Sequence, residues 1–168
     1  MSNTTGEQLQ PGDVIDGMEV VRLIGRGGMG EVYEVKHLTL DKRYALKVVD
    51  REFLQTAGAA ERFYTEAKTV AKLEHPNIAR VEDAGKTGTG LPWLRMELLG
   101  GYRKDDATIT TLDEYLEAHG GRLEPEQARS VLAQVLSGLA HAHEAGLIHR
   151  DLKPANILVS SDGQTFKI

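Results

Sequence analysis

Three polar side chains with different chemistry lie within six residues near the end of the sequence, at Asp151, Lys153 and Asn156. A carboxylate can orient and deprotonate a hydroxyl, an ammonium can stabilise a transferring phosphoryl group, and an amide oxygen can ligate magnesium. The order of these groups matches what phosphoryl transfer requires. An ordinary charged loop would explain any one of them, but the ordered set favours the catalytic interpretation.

A glycine cluster lies near the beginning of the chain, where Gly25, Gly27 and Gly30 have the spacing G-x-G-x-x-G and Gly28 adds a fourth glycine. Glycine lets the backbone turn tightly and brings N–H groups close to phosphate oxygens. Dinucleotide-binding proteins use the same spacing, and Asp50 lies where their acidic residue is expected. That motif requires a helix directly after the glycines, whereas the residues here are β-rich, so the dinucleotide interpretation is weaker. A glycine-rich hairpin turn without a ligand is the simpler alternative.

Two charged residues fall within apolar patterns. Lys47 lies in the strand-like run Ala45–Val49, and Glu66 shares the apolar stripe of a predicted helix with Val70 and Leu73. A buried carboxylate needs a partner, and Lys47 is the obvious cation, so the pair could hold the ammonium against phosphate oxygens. The alternatives are a lysine that faces water and a glutamate at the boundary of the stripe.

The first half of the chain has the hydrophobic pattern of strands. A meander is expected over Met18–Val49 with the glycines in its first turn, then a helix over about 59–74, and strands at 78–84 and 92–99. Val32 is an apolar side chain on a polar strand face, where it could cover an adenine ring. An ordinary strand valine is an equally good explanation.

The second half has the pattern of helices. A polar surface insertion is expected at 100–110, a short helix at 112–119, and a longer helix from Pro125 that ends at Gly146. Strands are expected at 157–159 and from Phe166. The predicted buried stripe of the longer helix consists of Val131, Leu132, Val135, Leu136 and Leu139.

These elements predict an α+β chain, with a five-stranded antiparallel sheet and one helix followed by a mainly helical part. We expect a flexible lead-in at residues 1–13, a first lobe at 14–99 and a second lobe at 100–168.

The composition excludes several kinds of protein. A net charge of −5 argues against a nucleic-acid-binding surface. The absence of cysteine excludes disulfides, thiolate zinc sites and a cysteine nucleophile, and it fits a reducing compartment. There is neither a secretory signal nor an apolar run of the roughly 18–20 residues that a membrane helix needs. We therefore expect a cytoplasmic location, which leaves open a membrane anchor elsewhere in the protein.

Taken together, the motifs resemble those of eukaryotic-like serine/threonine protein kinases, especially the bacterial ones. The family signature consists of a glycine-rich loop followed by a valine, a strand lysine, an H-R-D-L-x-x-x-N loop and a later D-F-G. The first three occur here, at Gly25–Val32, Ala45–Lys47 and His149–Asn156. The resemblance implies a protein-kinase fold, with ATP and Mg²⁺ as cofactors and a protein with Ser or Thr acceptors as substrate.

The resemblance also implies roles for individual residues. Lys47 would contact the α- and β-phosphates of ATP and pair with Glu66, Asp151 would be the catalytic base, and Asn156 would bind magnesium. Lys153 is typical of the serine/threonine class. The residues expected to surround the nucleotide are Gly25, Gly27, Gly28, Gly30, Val32, Ala45, Met96 at the back of the adenine pocket, Glu97 and Leu99 with backbone hydrogen bonds to adenine, and Leu158 at its floor.

One element of the signature does not occur in these 168 residues. Family members follow a strand such as Thr165–Ile168 with one residue and then D-F-G, whereas this sequence ends at Ile168. Asp162 and Gly163 do not replace that motif, because they fall in the preceding turn. We therefore expect a truncated domain that transfers phosphate poorly by itself and that self-associates through exposed second-lobe surface. A non-catalytic, nucleotide-binding or pseudokinase-like regulatory fragment is the alternative.

Overall fold

The computed structural model describes residues 8–28 and 30–168. They form two compact units. The first contains the described residues up to Ala71 together with Arg80–Leu98, and the second contains Lys72–Ala79 and Leu99–Ile168. Within the described ranges, no helix is both long enough and apolar enough to cross a membrane.

The first unit is built on an antiparallel sheet, as predicted, but the sheet has six strands instead of five. The additional strand is the two-residue segment Val14–Ile15, which pairs with the start of the next strand and is too short to show a period of its own. The strand order is β1-β2-β3-β4-β6-β5. The strands are β1 (Val14–Ile15), β2 (Met18–Gly27), β3 (Gly30–His37), β4 (Arg43–Val49), β5 (Val81–Lys86) and β6 (Pro92–Glu97).

The sheet has two chemically different faces, because side chains alternate along each strand. One face, which we call the core face, buries Val20, Tyr33, Val35, Leu46 and Trp93 among other apolar residues. Residues 8–13 also approach this face, since Leu9 packs against the core cluster and Gly12 N–H donates to the Val20 carbonyl at 2.8 Å. Residues 1–7 of the predicted lead-in lie outside the described residues.

The described residues of the first unit include two helices, whereas the sequence predicted one. The short α1 (Arg51–Leu54) was not expected, and α2 (Ala59–Val70) packs against β5 and β6. Tyr64 of α2 donates its hydroxyl to the Gly85 carbonyl at 2.8 Å.

The predicted extension of α2 to residue 74 and the predicted start of the next strand at residue 78 are both wrong. The backbone between them has other partners: Ile168 N–H donates to the Asn77 carbonyl at 3.0 Å, and Ala79 N–H donates to the Ile168 carbonyl at 2.8 Å. Residues 72–79 therefore belong to the second unit, and β5 begins only at Val81.

The second unit begins with a feature that the sequence analysis described only as a polar insertion. Residues 102–109 form a β-hairpin with strands β7 (Tyr102–Lys104) and β8 (Ala107–Ile109), and Asp105 adopts φ +54° in its turn. The helix α3 (Leu112–Ala118) follows, and its N-terminus has a capping box formed by Thr111 and Glu114.

The longest helix, α4 (Pro125–Glu144), starts at the predicted proline. Its predicted buried stripe is only partly correct. Val131 and Val135 are buried, whereas Leu132 and Leu136 are 59% and 61% exposed. The two leucines lie about 100° further around the helix, which places them beyond the face that packs on the unit.

The chain then runs through a single 3₁₀ turn (Pro154–Asn156) into the strand pair β9 (Leu158–Val159) and β10 (Phe166–Lys167). Side chains from α4 and from residues 72–79 hold this pair. Gln134 Oε1 accepts hydrogen bonds from Phe166 N–H and Asn77 Nδ2, both at 2.9 Å, and Gln134 Nε2 donates to the Gln164 carbonyl at 2.8 Å. The Asp162 carboxylate accepts the N–H groups of Gln164 and Thr165, which agrees with its predicted place in a turn.

Candidate active site

The four glycines near the first strand turn have different structural surroundings. A Cβ atom added to Gly25, Gly27 or Gly28 would have no atom within 4 Å, so packing does not require glycine at these positions. Gly30 differs, because its φ is +147° and an added Cβ would lie 2.0 Å from the Val48 carbonyl oxygen. Gly30 is therefore needed for the close approach of β3 to β4, a reason that the sequence analysis did not identify.

The strand register brings several predicted site residues together on the face of the sheet opposite the core face, which we call the ladder face. Val32 of β3 is the register partner of Lys47 of β4, and on the next rung Ala45 is the partner of Met96 of β6. Directly paired side chains lie about 4.5–5.5 Å apart, and diagonal ones about 7–8 Å apart. Val32, Ala45, Lys47 and Met96 thus form one patch, and the Lys47 side chain is half-buried.

The ladder face also carries a buried charge that the sequence analysis missed. Glu34, the register partner of Ala45, is 5% exposed and forms ion pairs with Arg22 and Arg43. The Arg22 Nε to Glu34 Oε2 distance is 2.8 Å. The alternation of β3 placed Glu34 on a polar face, but its burial depends on arginines from two other strands.

Three of the predicted nucleotide contacts, Glu66, Glu97 and Leu99, differ in their exposure and in their backbone partners. Glu66 of α2 is exposed, so the expectation of a buried carboxylate on the apolar stripe is wrong; Ala67 is the buried residue of that turn. The backbone N–H of Glu97 donates to the Arg80 carbonyl at 2.9 Å. The carbonyl of Glu97 is therefore the backbone group of this residue that is suited to adenine. Leu99 is half-buried and is the residue at which the second unit resumes.

The predicted catalytic loop is a compact hydrogen-bonded structure within the second unit. Lys153 Nζ lies 3.0 Å from Asp151 Oδ2, and Asn156 Nδ2 donates to the same oxygen at 2.9 Å and to the Asp151 carbonyl at 2.7 Å. Arg150, directly before the aspartate, adopts the left-handed conformation with φ +60°, which is unusual for a residue with a side chain. The loop therefore brings together the three residues whose order suggested phosphoryl transfer.

The electrostatics of this loop keep the aspartate ionised. The hydrogen bond from Lys153, with that from Asn156 as the second cause, holds the pKa of Asp151 below its usual value. The Asp151 side chain is exposed, which leaves it accessible to a hydroxyl substrate. Because Asn156 donates through its amide nitrogen, its oxygen Oδ1 is the atom suited to a hard cation such as Mg²⁺.

Leu158, the predicted floor of the adenine pocket, follows this loop on β9. It is half-buried, pairs with Lys167 and forms an isolated bridge with Thr111. Among residues 8–28 and 30–168, no group of three or more His, Asp or Glu side chains is arranged to hold a metal ion.

Residues 18–168 match the protein kinase domain family. The chain is 42% identical over 147 residues to the serine/threonine-protein kinase PknA of Mycobacterium tuberculosis, an alignment that covers 85% of this chain and 32% of PknA. It is 34% identical over 145 residues to the serine/threonine-protein kinase PrkC of Bacillus subtilis, covering 86% of this chain and 21% of PrkC.

A solved structure is also similar. The crystal structure of the PknI kinase domain of Mycobacterium tuberculosis aligns with a TM-score of 0.75 and 30% identity. The alignment covers 96% of this chain and 62% of the PknI chain. This chain thus spans a third or less of the length of the two curated relatives. The family match, the identities and the fold agree, and the chain belongs to the protein kinase family, with bacterial serine/threonine kinases among its relatives.

Proposed function

We propose that the chain binds ATP with Mg²⁺ and supplies the catalytic loop for transfer of the γ-phosphate to serine or threonine hydroxyls of a protein. The observation that carries this proposal is the arrangement of Asp151, which has Lys153 and Asn156 bound to one carboxylate oxygen. General-base catalysis requires a carboxylate that is ionised, oriented and accessible, and this aspartate has all three properties.

Each residue of the loop has a defined task. Asp151 accepts the proton of the attacking hydroxyl through its carboxylate. Lys153 places a positive charge 3.0 Å from that carboxylate, where it can stabilise the negative charge of the phosphoryl group during transfer. Asn156 would hold Mg²⁺ through Oδ1 while its amide nitrogen keeps Asp151 in place. Magnesium, when bound, neutralises charge on the phosphate oxygens.

The ladder-face patch supports nucleotide binding by the first unit. We assign Lys47 to the α- and β-phosphates, and Val32 and Ala45 to the adenine ring, with Met96 behind it. No atom lies within 4 Å of the position that a Cβ would take at Gly25, Gly27 or Gly28, so phosphate oxygens have room to approach the turn from that side. The Glu97 carbonyl, Leu99 and Leu158 complete the proposed adenine contacts. The pairing of Lys47 with Glu66 remains part of the proposal, with an exposed glutamate as the partner.

The thermal stability of the 168-residue chain with ATP or NAD tests the nucleotide assignment. ATP with Mg²⁺ should raise the unfolding midpoint, because a ligand that binds only the folded state stabilises it, whereas NAD should not. Lys47→Met should remove most of the ATP effect. Lys36→Met is a matched control, because Lys36 lies on the neighbouring strand in an ion pair with Asp41. Equal stabilisation by NAD, or none by ATP, would contradict the assignment.

We further propose that these 168 residues do not transfer phosphate by themselves, because they contain no D-F-G motif and so lack its magnesium-binding aspartate. Incubation with γ-labelled ATP, Mg²⁺ and a Ser/Thr-containing protein should leave the protein unlabelled. Robust labelling that Asp151→Asn abolishes would refute this part of the proposal. A nucleotide-binding regulatory role is the second candidate, and ATP binding without transfer would be compatible with it. With ATP as the proposed ligand, we also propose that the chain acts in the cytoplasm.

A further inference from the structure

The core face of the sheet carries a row of polar contacts that ends at the glycine-rich turn. Arg26, between Gly25 and Gly27, is the register partner of Glu31, and Arg26 Nε lies 2.8 Å from Glu31 Oε1. The other oxygen of the same carboxylate, Oε2, accepts the hydroxyl hydrogen of Tyr33. One carboxylate thus bridges the turn and the buried tyrosine.

The row continues into the segment before the first strand. Tyr33 is 1% exposed, and its hydroxyl oxygen accepts the N–H of Leu9 at 3.2 Å. Leu9 packs against the apolar cluster of the core face. Residues 9–13, which we call the strap, are held in place because Gln10 N–H donates to Asp13 Oδ2 and Val20 N–H donates to the Asp13 carbonyl, both at 2.8 Å.

The contacts of Arg26, Glu31 and Tyr33 lie on the core face, whereas the proposed nucleotide-binding side chains lie on the ladder face. Glu31 is the register partner of Val48, a residue of the apolar core cluster, whereas Lys47 and Val32 lie on the ladder face. The Glu31 side chain is 19% exposed, so its contacts are partly protected from water and are stronger than those of a fully solvated ion pair. Burial, followed by the hydrogen bond to Glu31, raises the pKa of Tyr33, so the hydroxyl stays a donor at neutral pH.

We infer that Arg26, Glu31 and Tyr33, together with the strap, position the glycine-rich turn for the phosphates of the nucleotide from the opposite face of the sheet. This inference rests on the proposed ATP-binding function. A turn rich in glycine has many conformations, and a turn held in its binding conformation loses less entropy when the phosphates bind. The three residues are thus positioning residues, because they act through the backbone of the turn.

The inference predicts a selective effect on phosphate binding. Adenosine carries the same base and ribose as ATP but no phosphates, so its affinity should be insensitive to the conformation of the turn. Tyr33→Phe removes the hydroxyl and keeps the buried ring, and Glu31→Gln removes the charge that holds Arg26. Each variant should weaken ATP binding about three- to tenfold while adenosine binding changes by less than about twofold.

The test is an equilibrium titration of the 168-residue chain with ATP plus Mg²⁺ and, separately, with adenosine. The wild type, Tyr33→Phe, Glu31→Gln and the control Asp41→Asn are compared. Asp41 pairs with Lys36 at 2.5 Å at the other end of the β3–β4 hairpin, so its loss removes an ion pair that does not contact the turn. The control should leave both affinities unchanged.

The outcomes separate the inference from the proposed function. If the wild type does not bind ATP, the proposed function fails and the inference with it. If the wild type binds ATP but both variants bind it equally well, only the inference is overturned. A parallel loss of ATP and adenosine affinity would show a general structural role and would also overturn it. Tighter ATP binding by Glu31→Gln would do the same, since it would show that Arg26 itself reaches the phosphates once released.

Discussion

Gly30 provides a sharp test of how the first unit is packed. Replacement of Gly30 by alanine would place a Cβ atom 2.0 Å from the carbonyl oxygen of Val48 and 3.0 Å from the Val48 carbonyl carbon and the Val49 Cα. All three are backbone atoms, so no side-chain rotation can relieve the contact. Because Val48 directly follows Lys47 in β4, any displacement of this strand also moves the proposed phosphate-binding lysine.

The geometry gives the size of the effect. The Cβ and the Val48 oxygen must separate by about 1.4 Å before they reach the 3.4 Å at which ordinary contacts begin. Overpacking of this kind costs about 1–3 kcal/mol, and a side chain at φ +147° adds backbone strain of similar size. We therefore expect Gly30→Ala to lower the free energy of unfolding by about 2–5 kcal/mol.

The assay is thermal unfolding of the first unit within the 168-residue chain, monitored by circular dichroism. Gly30→Ala should lower the midpoint by at least about 8 °C. Gly28→Ala in the same turn is the matched control, because its added Cβ meets no atom within 4 Å, and its midpoint should stay close to that of the wild type. A Gly30→Ala midpoint within about 2 °C of the wild type would refute the close β3–β4 approach.

Three further predictions concern other parts of the molecule. The pKa of Asp151 is depressed when the chain is folded, so the contribution of this group to stability is present at neutral pH and is lost as the pH falls through the folded pKa. NMR titration should find a midpoint for Asp151 below the ordinary aspartate value, and Lys153→Met should raise that midpoint. Glu34→Gln should lower the free energy of unfolding by about 1–3 kcal/mol in denaturant titrations, because it removes the negative charge between Arg22 and Arg43. An unchanged denaturation midpoint would contradict the burial of the Glu34 carboxylate between these arginines. Sedimentation should show concentration-dependent self-association of the chain that the double substitution Leu132→Glu, Leu136→Gln reduces, since both leucines are exposed, whereas equal association of both chains would exclude this surface.

The features that the sequence predicted well are formed by residues close together in the chain. Asp151, Lys153 and Asn156 lie within one loop, and their contacts with each other need only a local fold. The register of the meander likewise follows from alternation of apolar residues, which placed Val32 correctly on a face separate from Tyr33.

The parts that the sequence predicted poorly depend on residues far apart in the chain. Glu34 is buried because Arg22 and Arg43 approach it from the two adjacent strands, and Gly30 is required because the β4 backbone passes so close. The strand predicted from residue 78 begins only at Val81, because backbone groups of Asn77 and Ala79 bind Ile168, about ninety residues later. The predicted buried stripe of α4 included two exposed leucines, Leu132 and Leu136, because the hydrophobic pattern does not show which apolar residues pack against another element.

The central claim is that the Asp151 loop performs phosphoryl transfer to protein hydroxyls. The most direct measurement joins residues 18–168 to the part of the PknA kinase domain that follows the aligned region, and assays Ser/Thr phosphorylation with γ-labelled ATP. A folded chimera that binds ATP should label serine or threonine, and Asp151→Asn should reduce the rate by at least about a hundredfold while ATP binding is retained. A folded, ATP-binding chimera without activity, or one whose activity survives Asp151→Asn, would contradict the assignment.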